Sequence, residues 1–85
     1  MTINPFAVMQ EEFDHSGIVF NPDCNKVMTL NASGVELWKA FEKNCSIEEA
    51  AVILTEKFEV DITVARQDAA KFAETLAAKG LLTLE

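Results

Sequence analysis

Few side chains in this 85-residue sequence could do chemistry. His15 is the single histidine, and it sits in Asp14-His15-Ser16-Gly17, which has the polar, glycine-containing make-up of a hairpin loop. Nucleophilic catalysis needs a nucleophile beside a positioned base. A solvated turn histidine is the simpler reading of His15. Cys24 and Cys45 are the two cysteines, and they form no Cys-x-x-Cys pair. With one histidine beside them, the ligand set that zinc requires is missing. Two thiols without a secretory context are expected to be free and reduced. A reactive thiol also wants a cationic setting, and the sequence does not establish one around either cysteine, so a structural or incidental role is the simpler reading of both. Glu48-Glu49 is explained as favourable charge at a helix start, and Glu11-Glu12 falls at a strand end. Glycines at positions 17, 34 and 80 make no phosphate-cradling loop. The expectation is a chain that is not an enzyme and carries no cofactor and no metal.

Composition narrows the class further. Seven Lys and Arg against fourteen Asp and Glu give a net charge of −7. That balance disfavours unspecific attraction to nucleic acid or to an anionic membrane surface. Apolar residues make up 49% and charged residues 25%, an ordinary globular mix that can form one small core. Residues 1–85 are expected to form a single domain. No basic start precedes an apolar run, and no apolar stretch reaches the length of a membrane span. A cytoplasmic location is the expectation.

The elements that would position a site divide the chain in two. Met1 to Leu30 reads as strands: Phe6 to Phe13, then Gly17 to Phe20, then Lys26 to Leu30. Asn21-Pro22-Asp23-Cys24-Asn25 forms the second turn, with proline where a turn wants its fixed φ. Short turns between successive strands favour an antiparallel meander. The second half carries helix punctuation. Asn31 caps a first helix over about Ala32–Lys43, with Val35, Leu37, Trp38 and Phe41 as its apolar stripe. Gly34 costs that helix about 1 kcal/mol against alanine, which implies that something packs closely on it. Ser46 and Glu49 form a capping box for a second helix ending near Lys57. Asp61 or Thr63 starts a third helix that runs to about Lys79, with Ala65, Ala69, Phe72, Ala73 and Leu76 inward. Gly80 suits a left-handed cap. Leu81–Leu84 is an apolar tail, long enough to pack back on the core or to pair with a strand. The fold class is α+β, three antiparallel strands followed by three helices.

An interaction surface remains. The third strand, Lys26–Leu30, has one charge at its start and no proline, so nothing blunts its outer edge. An extended peptide could add there as a fourth strand. The third helix, with Arg66, Asp68, Lys71 and Thr75 near its rim, is the element that would turn this edge into a groove. The same edge could instead meet solvent, meet the tail, or pair with a second copy to make a homodimer. A DNA-binding winged helix is a further alternative. It would have to rest on Arg66, Lys71 and Lys79, opposed by Asp68 and Glu74.

Leu30-Asn31-Ala32-Ser33-Gly34-Val35-Glu36-Leu37-Trp38 resembles the strand-to-helix signature of PqqD-like proteins. Ser46-Ile47-Glu48-Glu49-Ala50 is similar to that family's second-helix start. Leu54, Phe58, Val60 and Asp61 follow at familiar spacing, and Asp68, Phe72, Leu76 and Gly80-Leu81-Leu82 resemble its close. The resemblance covers the chain from about Gly17 onward. It implies a winged helix-turn-helix-like fold and a peptide chaperone of the kind used in pyrroloquinoline quinone biosynthesis. Related domains, the RiPP recognition elements, bind the leader of a ribosomally made precursor peptide and present it to a modifying enzyme, often a radical SAM protein. The leader would lie along Lys26, Val27, Met28, Thr29 and Leu30, and against Ala65, Asp68, Ala69, Phe72, Thr75 and Leu76. Members serving the quinone pathway itself tend to carry a Cys-Asp-Gly-like stretch after the first helix. Here that stretch reads Phe41-Glu42-Lys43-Asn44-Cys45-Ser46. Trp38 is also more typical of the wider family, so the resemblance supports the domain type more than that pathway.

Overall fold

The structure is a computed structural model, and it describes residues 2–22 and 26–83. The expected turn over Asp23–Asn25, with Cys24, and the end of the tail at Leu84 lie outside the described residues. In chain order the elements are β1 (Thr2–Ile3), β2 (Val8–Glu11), β3 (Gly17–Asn21), β4 (Lys26–Leu30), α1 (Ala32–Glu42), α2 (Ile47–Lys57), α3 (Ile62–Ala78) and β5 (Leu82–Thr83). β2, β3 and β4 form an antiparallel meander in that order. The fold is therefore α+β, with the three strands followed by three helices in a winged helix-turn-helix-like arrangement.

β2 is shorter than the Phe6–Phe13 run, because turn hydrogen bonds trim both of its ends. Phe6 N–H donates to Asn4 Oδ1 and Ala7 N–H to the Asn4 carbonyl. At the other end Asp14 Oδ1 accepts from both the amide and the hydroxyl of Ser16, while His15 takes a positive φ of 71°. Those two hydrogen bonds hold the Asp14 carboxyl below its ordinary pKa. Phe6 and Phe13 are left exposed. The apolar tail both packs and pairs. Leu81 and Leu82 are buried, and β5 runs antiparallel to β1 with Ile3 opposite Leu82. β1 has no sequence signal of its own, since two residues form a strand only when a distant partner is present.

Each helix boundary has a local cause. Asn31 Oδ1 accepts from Gly34 N–H at 2.8 Å and caps α1. Ser46 and Glu49 exchange both bonds of the capping box at α2. Asp61 caps α3 through Thr63 N–H. α1 ends with Asn44 at φ 62°, where Cys45 N–H reaches back to the Ala40 carbonyl. α3 ends the same way at Gly80, φ 74°, with Leu81 N–H bonded to the Leu76 carbonyl. Both are left-handed caps that satisfy carbonyls the helix would otherwise leave open. Glu11 pairs with Lys39 and ties β2 to α1, which gives that carboxylate a structural role. Its hydrogen bond to Lys39 lowers the Glu11 pKa and raises that of Lys39.

One core joins sheet and helices. Val19 and Leu30 from the sheet meet Val35, Leu37, Trp38 and Phe41 of α1, with Leu54, Leu76 and Leu81 behind them. Trp38 is fully buried, and its indole N–H has no hydrogen-bond partner among the described residues. α1 lies so close to β3 that a Cβ on Gly17 would sit 2.8 Å from Val35 Cγ2 and 3.2 Å from Met9 Sδ. Val35 is buried and has little room to yield. Gly17→Ala should therefore destabilise the fold by about 1–3 kcal/mol, the usual range for overpacking. Adding Val35→Ala should recover part of the Gly17→Ala loss. Chemical denaturation of the single and double variants measures this coupling, and additive losses would contradict the close approach.

Candidate functional site

The candidate site is the outer edge of β4 and the cleft between it and α3. β4 is the last strand of the meander, so one of its sides faces away from β3. The direction of each backbone group follows from one bond in the β2–β3 turn. Glu12 N–H donates to the Ser16 carbonyl at 2.7 Å, and this pair continues the β2–β3 register. Bonded pairs alternate along an antiparallel ladder. Ile18 and Phe20 therefore bond toward β2, and Gly17, Val19 and Asn21 toward β4. Their partners on β4 are Leu30, Met28 and Lys26. Val27 and Thr29 are left with their N–H and C=O groups pointing to the outer edge.

Side chains on β4 follow the pleat. Met28 is half-buried and Leu30 buried on the inner face, while Val27 and Thr29 are exposed on the other. α3 packs chiefly on α2, with lesser contacts to β5 and α1, and this leaves a cleft along β4. At the Lys26 end the cleft holds about 360 Å³, bounded by Val19, Asn21, Val27, Met28, Ala78, Lys79 and Leu81. That is near the lower end of ligand clefts, roughly 300–1,000 Å³, and suits side chains better than a large cofactor. At the Leu30 end a shallower, more polar depression runs between the start of α1 and the middle of α3. Asn31, Ser33, Asp68, Lys71, Phe72 and Thr75 line it. From Asp68 to Lys79, α3 advances about 16 Å at 1.5 Å per residue. The four steps of β4 cover about 14 Å. Edge and helix are thus matched in length.

The residues named from sequence separate into two groups here. Val27, Met28, Thr29, Asp68, Phe72 and Thr75 reach the edge or the cleft. Lys26 and Leu30 supply backbone at the two ends of β4. Ala65, Ala69 and Leu76 have no exposed surface and belong to the core, so they back the groove without lining it. Sequence reasoning missed Asn21, Asn31, Ala78 and Leu81, because nothing local says that a turn, a cap or a tail will border a cleft. Asn21 is buried and donates from Nδ2 to the Lys79 carbonyl at 2.8 Å, which holds the end of α3 against β3. Phe72 stacks on buried Phe41, ring centroids 6.3 Å apart at 17°. A Cβ at Gly34 would lie 3.2 Å from the capping Asn31 Oδ1 and 3.3 Å from Leu30 Cβ, both tight, with Phe72 Cε1 at an ordinary contact distance of 3.6 Å. The end of β4 and the cap are what crowd the glycine inside α1.

The charges bear on what the cleft can hold. Arg66 binds Glu48 through two bonds, at 2.7 and 2.8 Å, and clamps α3 to α2. This bidentate bond holds the Glu48 carboxyl below its ordinary value of 4.5. One of three cations that a DNA-reading helix would need is thereby occupied. Because the folded pKa is depressed, the clamp contributes above 4.5 and is lost as the pH falls below that value. Glu48→Gln should therefore lower the melting temperature slightly at pH 7, with the difference from the parent closing as the pH is taken progressively below 4.5. A constant difference across that titration would contradict the clamp. Asp68 and Lys71, one helical turn apart, join no ion pair among the described residues, and leave one charge of each sign at the rim. No cluster of three or more His, Cys, Asp or Glu able to hold a metal occurs among the described residues. No described helix is long and apolar enough to cross a membrane.

A winged helix-turn-helix-like domain with an open edge strand beside a helix-walled cleft is the class that fold and site define. The chain belongs to the PqqD family: the model for coenzyme PQQ synthesis protein D matches residues 16–82. Two solved structures share the fold. TbiB1 in complex with the TbiA(β) leader peptide has a TM-score of 0.87 at 24% identity, covering 100% of this chain and 98% of that one. Lasso peptide synthetase B1 complexed with the leader peptide has a TM-score of 0.82 at 20% identity, covering 96% and 95%. A comparison with curated protein sequences returned no match.

Proposed function

We propose that this protein is a non-catalytic recognition element. It binds the leader of a ribosomally made precursor peptide as an added strand on β4 and presents it to a modifying enzyme, radical SAM or other. The observation that carries this reading is the open edge itself. Val27 and Thr29 direct their backbone groups outward on a strand that lies along the α3 cleft. Backbone pairing would supply affinity, and the cleft would select side chains. Membership of the PqqD family supports it, as do two structural neighbours whose own structures contain a leader peptide. On this reading residues 1–85 act as one peptide-binding domain in the cytoplasm. A titration tests it, using the isotope-labelled protein and the leader segment of a short precursor encoded beside it. Amide shifts should gather at Lys26–Leu30, Asn31, Asp68, Phe72 and Thr75. Shifts confined to α2 or to β2 would refute it.

A further inference from the structure

Resting on that peptide-binding reading, we propose a second reading surface on the solvent side of the three-stranded sheet. The peptide residue that pairs with Val27 lays an apolar side chain, β-branched or aromatic, on the row Val8–Phe20–Val27. The register places these three side by side: Val8 is opposite Phe20, and Phe20 is opposite Val27. They are 61%, 38% and 66% exposed. The next row on the same face is Gln10, Ile18 and Thr29. None of the six side chains is charged, in a chain with 21 charged residues (7 + 14). The row also runs out to the open edge, where proteins usually place charge.

The geometry selects the occupant. A strand added antiparallel to β4 forms its bonded pairs with Val27 and Thr29, whose backbone groups face outward. Paired residues in a sheet point to the same face. The peptide residue opposite Val27 must therefore project onto the solvent face and extend the row to a fourth strand. Its chain neighbour, opposite Met28, projects to the other face, into the cleft of Val19, Met28 and Leu81. The recognised segment thus presents two adjacent apolar residues to opposite sides of the sheet. A single anchor in the cleft would leave the rest of the row, Val8 and Phe20, uncovered.

Selection of a displayed library of random 12-residue peptides on the immobilised full chain tests this. The parent protein should enrich an apolar residue for the cleft with a β-branched or aromatic neighbour. On Val27→Glu the cleft residue should persist while the neighbour changes to Lys or Arg. A synthetic copy of the parent-selected peptide with that neighbour changed to Lys should bind the parent protein about two- to fivefold more weakly, the scale of one cross-strand pair. This comparison needs no variant protein and stands even if Val27→Glu folds poorly. A constant cleft residue beside an unconstrained neighbour, with the Lys-substituted peptide binding as well as its parent, would overturn the second surface and leave the groove intact. Failure to enrich any peptide on the parent protein would overturn the peptide-binding reading and this inference with it.

Discussion

Thr29→Pro should weaken leader binding by roughly tenfold to a hundredfold while leaving the fold in place. The amide of Thr29 points away from β3, so proline removes a donor that the sheet does not use. An added strand would use it. Losing that donor leaves a peptide carbonyl unpaired in the interface, which costs about 1–3 kcal/mol. Met28→Pro is the contrasting variant. The Met28 amide bonds to Val19 in the middle of the ladder, so proline there should damage the sheet itself. Thr29→Val keeps the amide and should bind almost as the parent does. Calorimetric titration of the three variants, with circular dichroism as the check on folding, reads the result. A folded Thr29→Pro variant with parental affinity would refute strand addition on this edge.

Phe41→Ala should cost a large part of the stability, about 3–5 kcal/mol. Phe41 has no exposed surface and stands among the largest fully buried side chains. A chain of this length has a total stability of only about 4–13 kcal/mol at the usual 0.05–0.15 kcal/mol per residue. The melting midpoint should fall by about 15 °C or more. The consequence reaches the site, because Phe41 backs the ring of Phe72 at the cleft wall. At a temperature where the variant is still folded, it should also bind leader more weakly. Phe41→Leu fills more of the space and should lose less on both measures. Thermal and urea denaturation report the first effect, and titration below the midpoint reports the second. A Phe41→Ala variant within about 1 kcal/mol of the parent would contradict the packing described, given the range expected for such truncations.

Much of the fold was legible because its signals are local. Asn31, Ser46 with Glu49, Asp61 and Gly80 act within a few residues of themselves: the three helices begin where the first four put them, and α3 ends just before Gly80. The stripe Val35, Leu37, Trp38 and Phe41 needed only helical spacing to be assigned to the core, and all four are buried. Gly34 was legible in part. Its cost implied a close neighbour, but only packing revealed that Asn31 Oδ1 and Leu30 Cβ are the atoms that crowd it. Gly17 gave no such sign, since a glycine beside a turn has a sufficient local explanation. The ends of the strands were less legible. Phe6 and Phe13 carry strand-like composition, yet hydrogen bonds accepted by Asn4 and Asp14 hold the chain in turns on either side of β2 and leave both outside the strand.

By itself the sequence determined the order of the three meander strands and the three helices, the core stripes, and the presence of one edge strand with a single charge at its start. Tertiary structure alone decided which residues on that edge and on α3 could touch a partner. The outward direction of Val27 and Thr29 depends on the pairing of β3 with both of its neighbours. Ala65, Ala69 and Leu76 share the helix with Asp68, Phe72 and Thr75, but the first three are turned into the core and the others reach the cleft. Hydrophobic periodicity marks a buried face without saying where the next element will leave a gap. The pairing of Thr2–Ile3 with Leu82–Thr83 is the extreme case, joining residues 79 and 81 positions apart. Each two-residue segment is too short to carry a strand signal, and its stability comes from a partner that only the folded chain supplies.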